Sequence, residues 1–263
     1  SARYGDVFTS LQLLQMLERA LGLRASTEDA WEAPGGFVDP YRPLVQPDPF
    51  GSVEELRSAR ESHLAAVRRL FETVEGFVFT LGLTEAWTAA DGTALPLCPG
   101  KRFGTFDPER YRFRNLTVAE NVAALESFLA LLARINPGAR VLLTVSPVPL
   151  VATMEDRHVL ASTTYSKSVL RVAAEEVRQR HANVDYFASY EIVTATGNPH
   201  YFAEDRRSVT EAAVDHVLRS FFAHFVDGSD PPAPTVEAAP APLELVPCDE
   251  EKLLAALEED ADR

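Results

Sequence analysis

Apolar and polar positions along the chain switch between helical and strand-like spacing, and the switches mark the elements. From Ser10 to Leu21 the residues Leu11, Leu13, Leu14, Met16 and Leu17 recur at helical intervals until Gly22 stops the pattern. From Trp31 to Phe50 the chain is dense in Pro, Gly and Asp with scattered aromatics, which predicts an ordered irregular loop packed by its own side chains. Ser52-Val53-Glu54-Glu55 supplies a capping-box pattern for a helix running to about Val74. Phe77-Val78-Phe79-Thr80-Leu81-Gly82 is then a short apolar β-prone run ending in Gly, as expected of a strand buried on both faces. The alternation repeats twice. A helix over 117–134 leads to strand Arg140–Val145, and a helix over 163–181 leads to strand 184–187, before a last helix over 209–225.

Strands alternating with helices of this length predict an α/β fold, a three-layer flavodoxin-like parallel sheet with helices on both faces and right-handed crossovers. Three convincing strands are fewer than the five or six usual for an open sheet, so the chain reads as short of at least one βα unit at its front. One domain is expected over 1–226, N-terminally incomplete. A Pro/Ala-rich linker follows over 227–247, and an acidic C-terminal helix or tail over 248–263.

Composition narrows the function classes. A formal charge of −14 repels phosphate backbones and anionic membrane surfaces, which argues against a nucleic-acid or membrane partner. Cys98 and Cys248 stand far apart in unlike contexts, so neither a disulfide framework nor a Cys-based metal site is expected, and a reducing cytoplasm fits. No run approaches the roughly 20 apolar residues of a membrane span, and the opening residues carry no signal-peptide pattern. No metal site or P-loop has credible spacing, and no cofactor is expected.

Several strings taken together resemble the GSCFA domain family: Ser1–Thr9, Phe79-Thr80-Leu81-Gly82-Leu83-Thr84-Glu85-Ala86-Trp87, Thr144-Val145-Ser146-Pro147-Val148-Pro149-Leu150, Thr164–Arg171 and Tyr186–Glu191. The resemblance covers about 1–225 in order. It implies a fold like that of the SGNH ester hydrolases and an ester hydrolase or acyltransferase acting on an acyl-ester small molecule or glycan. The family's namesake Gly-Ser-Cys-Phe-Ala string, whose Ser would be the nucleophile, is not in this sequence. The expectation is therefore that an upstream segment or a partner chain supplies the attacking hydroxyl. The competing reading is a non-catalytic relative that keeps the fold as a binding or interaction module.

The resemblance also assigns candidate site residues. Gly82 permits close backbone approach to a substrate, and Thr84 stands where an Asn would donate to the oxyanion. Glu85 and Trp87 are expected to line the cleft, against the plainer possibility that Glu85 caps a turn and Trp87 packs beneath the loop. The Asp-x-x-His block aligns with Asp205-Arg206-Arg207-Ser208, which puts at the base position Ser208, a group unable to accept a proton at neutral pH. His158, in the loop after the Ser146 turn, is the first choice as substitute base, and His200 the second. Ser146 lacks the Gly-x-Ser-x-Gly elbow of a nucleophile and reads as a turn residue bordering the cleft. Tyr165-Ser166-Lys167 opens a predicted helix where Lys167 could meet a carboxylate or phosphate, and Tyr190 and Glu191 follow the last strand towards the same cleft. The 88–114 stretch, with Cys98, is expected to form a lid or a partner surface.

Overall fold

The computed structural model describes residues 3–195, 197–198 and 200–226; the expected linker at 227–247 and tail at 248–263 lie outside the described residues. Helix α1 (Ser10–Ala20) starts at the Thr9 cap, where Thr9 and Gln12 form a reciprocal capping box. The loop predicted over Trp31–Phe50 contains a small hairpin, β1 (Trp31–Ala33) against β2 (Gly36–Val38). Helix α2 (Val53–Thr73) begins at Ser52, whose hydroxyl accepts the Glu55 N–H, as its sequence predicts.

After β3 (Gly76–Leu81) the chain builds a separate antiparallel sheet of β4 (Glu85–Ala89), β5 (Ala94–Leu95) and β6 (Tyr111–Asn115), in the order β5-β4-β6. The stretch expected to be a lid thus contributes short strands to a sheet, joined by turns over 96–110. Its runs are too short for their alternation to register in the sequence, and their pairing comes from tertiary packing. Trp31, Val38, Ala89, Leu95, Leu97 and Tyr111 form the small core beneath it. Glu28 ties this region together, accepting from the Trp31 indole, the Tyr111 hydroxyl and Arg110.

Helix α3 (Val118–Ile135), with the Thr117–Glu120 capping box, returns the chain to β7 (Arg140–Val145). Helix α4 (Val159–Arg180) leads to β8 (Val184–Phe187), followed by short α5 (Ser189–Thr194) and α6 (Glu211–Phe225). Strands β3, β7 and β8 are parallel in that order, with Val78 beside Leu142 and Leu142 beside Asp185. The expected α/β class with a parallel sheet is observed.

The two faces of this sheet are covered unequally. On one face Phe79, Leu81, Val141, Leu143 and Val145 pack against α1 to α4, where Phe71, Phe128 and Leu170 are fully buried. Burial of such side chains contributes roughly 1.5–3 kcal/mol each. On the other face α6 lays Phe221 and Phe225 against Phe187, with ring centroids 5.7 and 5.6 Å away. Beyond them Val78 is 48% exposed, and a groove of about 440 Å³ runs between Val78, Leu142, Phe221 and Phe225. Among the described residues no strand pairs with the outer edge of β3. No described helix is long and apolar enough to cross a membrane.

Candidate functional site

Parallel α/β sheets bind ligands beyond the carboxyl ends of their strands. Here that end is built from Gly82–Glu85 after β3, Ser146–Leu150 after β7, and loop 150–154. Against them lies a pocket of about 250 Å³, mostly apolar, walled by Leu83, Trp87, Leu97, Phe113, Leu150 and Met154 and edged by Glu85, Cys98 and Lys101. Trp87 meets Phe106 and Phe113 edge-to-face, so its ring forms a firm wall. Burial raises the pKa of the Cys98 thiol, which keeps it protonated at neutral pH.

Several polar groups at the rim are hydrogen-bonded within the protein. Glu85 accepts from the Thr153 hydroxyl and the Met154 N–H. Thr84 is fully buried: its N–H donates to Ser166 and its hydroxyl to Asn115 at 2.7 Å, while Asn115 donates to Glu155 at 2.9 Å. The single hydroxyl proton of Thr84, expected to meet an oxyanion, is directed to Asn115 in this structure. Gly82 also makes a protein contact. Its N–H donates to the Phe8 carbonyl, and a side chain there would stand 3.2 Å from that oxygen.

Lys167 is buried, with Nζ 2.8 Å from the Gly82 carbonyl. The helix predicted to open at Tyr165-Ser166-Lys167 opens at Val159, so Lys167 lies within its interior turns and faces the sheet end. The cap is His158. Its Nδ1 accepts the Leu160 N–H at 3.2 Å, so the first-choice base is an exposed helix-capping residue. No residue of the usual capping type directly precedes Val159, so the sequence carries no local signal for this helix start. Ser146 is the turn residue its surroundings predict, accepting the Val148 N–H.

Asp205 and Ser208 form a closed turn. Asp205 Oδ1 accepts the N–H groups of Arg207 and Ser208, and the Ser208 hydroxyl donates to Oδ2. These bonds hold the Asp205 carboxyl below its ordinary pKa, despite partial burial. Arg207 then reaches the Pro149 carbonyl, which fixes this turn to the end of β7. Glu191 points elsewhere: it pairs with Arg171 at 2.8 Å and accepts from Tyr186, while Tyr190 packs on the main core. Tyr190 and Glu191 do not line the apolar pocket. Among the described residues no three His, Cys, Asp or Glu side chains are arranged to hold a metal ion.

A second, smaller cavity lies behind the pocket and shares Gln12 and Pro96 with it. Its wall joins Tyr4, Arg19, the Asp39–Arg42 turn, Arg60 and His63 of α2, and Pro96. None of these stands out in the sequence as a site residue. The signals were weak, since Arg19, Arg60 and His63 look like polar faces of amphipathic helices until the irregular loop folds over them.

The parallel strands of this α/β fold thus end at a walled apolar pocket whose rim carries hydrogen-bonded polar groups. The model of the GSCFA family matches residues 1–221, and the chain belongs to that family. No curated protein and no solved structure matches it.

Proposed function

We propose that this chain is the ligand-holding body of an acyl-ester hydrolase or acyltransferase of the SGNH-like type. In this reading the attacking hydroxyl arrives on a strand that adds to the outer edge of β3, from an upstream segment or a partner chain. The observation that carries the proposal is one juxtaposition. The apolar pocket opens beyond the end of the strand whose other edge is unpaired among the described residues and whose Val78 face is half covered. A parallel strand added there would end level with Leu81–Gly82, beside a pocket suited to an acyl chain. The free Cys98 thiol fits a reducing, cytoplasmic setting.

A second reading, a binding module without catalysis, is favoured by the Asp205–Ser208 turn. A hydroxyl stands where a base belongs, and it is itself tied to Asp205. Fluorophosphonate labelling and p-nitrophenyl acetate turnover by the full natural gene product separate the two. Labelling at one serine with turnover supports the enzyme. Absence of both, with a fluorescent fatty acyl probe still filling the pocket, overturns it in favour of the binding module.

A further inference from the structure

The second cavity is walled by a cation, Arg19, with no anion hydrogen-bonded to it. Arg19 lies over the Tyr41 ring, 4.1 Å from its centroid, and its Nη1 is buried with no hydrogen-bond partner. Desolvation is the largest influence on it and lowers its pKa to about 10. Asp39, a carboxylate whose charge acts on Arg19, is already committed. It receives five N–H groups, from the Tyr41 backbone, twice from Arg42 and twice from Arg60. A carboxylate offers about four lone-pair sites, so none is left for Arg19. Asp6 also borders the cavity and has interactions of its own.

Two further buried polar atoms on the same wall are unpartnered: Tyr4 Oη and His63 Nδ1. The rings of Tyr4 and His63 meet edge-to-face with centroids 6.1 Å apart. A phenol donates, a guanidinium N–H donates, and a neutral imidazole carrying its proton on Nδ1 donates. Three donors from three segments therefore converge on one small space of about 20 Å³. A water needs roughly 10–15 Å³ of such space. Water would meet the hydrogen bonds but leave the buried charge uncompensated, the costlier deficit.

The geometry points to a small monovalent anion, a halide or a carboxylate, bound by Arg19 Nη1, Tyr4 Oη and His63 Nδ1. This site is separate from the acyl pocket and does not depend on the esterase reading. The test is thermal unfolding of the full chain in sodium chloride, sodium acetate and sodium gluconate at equal ionic strength and neutral pH. The midpoint is expected to rise saturably in chloride or acetate but not in gluconate, whose anion is too bulky for the space. A rise in acetate alone identifies a carboxylate, in chloride alone a halide, and in both the shared chemistry. Arg19→Met should abolish the anion dependence while leaving the protein at least as stable in gluconate. Tyr4→Phe should weaken the apparent affinity about tenfold, and it serves alone if Arg19→Met does not fold. Equal midpoints in all three salts overturn the proposal. So does an anion effect that survives Arg19→Met, or an unchanged affinity in Tyr4→Phe.

Discussion

The two cavities beside Gln12 are opposites. At the apolar pocket four polar groups have found protein partners: Glu85 with Thr153, Thr84 with Asn115, Asn115 with Glu155, Lys167 with Gly82. In the smaller cavity three buried polar atoms have none. The first pattern is what a wall needs in order to be rigid, since an unmade buried hydrogen bond costs about 1–3 kcal/mol. The second is what a site looks like when its design includes a group from outside the chain. Satisfied polarity therefore marks architecture here, and unsatisfied polarity marks binding.

The sharpest way to break this contrast is to remove the carboxylate at the centre of the smaller cavity's arginines. Asp39 is buried between Arg42 and Arg60, with ion-pair distances of 2.9 and 3.0 Å. Asp39→Ala leaves three guanidinium groups facing one another. The expected loss is about 3–5 kcal/mol in urea unfolding, partly recovered in chloride or acetate. A loss below about 1 kcal/mol would mean that the arginines reach water and that the cavity is not a closed electrostatic unit.

Next in size is a pH effect. His63 is 8% exposed, and burial, aided by Arg42, lowers its pKa from 6.5 to about 4, opposed by Asp39. Tyr4 and Arg19 also face it. Because the folded state resists protonation while the unfolded state accepts it, stability is fully present above pH 6.5. It falls as pH drops from 6.5 towards 4, by at most about 3 kcal/mol. His63→Gln should flatten the stability profile over that window relative to the parent chain. A bound anion would favour the imidazolium and reduce the slope in the parent. Identical profiles for parent and variant would show that His63 titrates as it does in solvent.

How much of this was legible beforehand depended on the range of the signal. The Thr9, Ser52 and Thr117 caps and the apolar runs of β3 and β7 are written within a few residues each, so the parallel sheet and its main helices followed from local pattern. The sheet of β4, β5 and β6 was not legible, because two to five residues of alternation cannot be distinguished from a loop. Glu85 and Trp87 could be placed at the pocket because they directly follow a strand end. Tyr4, Arg19, Asp39 and His63 could not be assembled, since only the fold brings segments 59 residues apart, from Tyr4 to His63, into ring contact. Resemblance to a family gave Thr84 and Ser208 their slots, but the slots carried no information about which hydrogen bonds those side chains already make.

The smallest expected effect separates a structural Thr84 from a catalytic one. If the rim is architecture, Asn115→Ala strands the buried Thr84 hydroxyl and should cost about 1–3 kcal/mol. Thr84→Val in that background replaces the stranded hydroxyl with a methyl of similar shape. The double variant should therefore be more stable than Asn115→Ala alone, because removing both partners of a buried bond is cheaper than removing one. In any assembly that turns over an ester, Thr84→Val should leave kcat within a few-fold, since loss of a true oxyanion donor costs about 100-fold or more. A hundred-fold fall in kcat with unchanged stability would return Thr84 to the oxyanion. It would also mean that the Asn115 bond opens when substrate binds, making the rim of the apolar pocket as responsive to ligand as the cavity behind it.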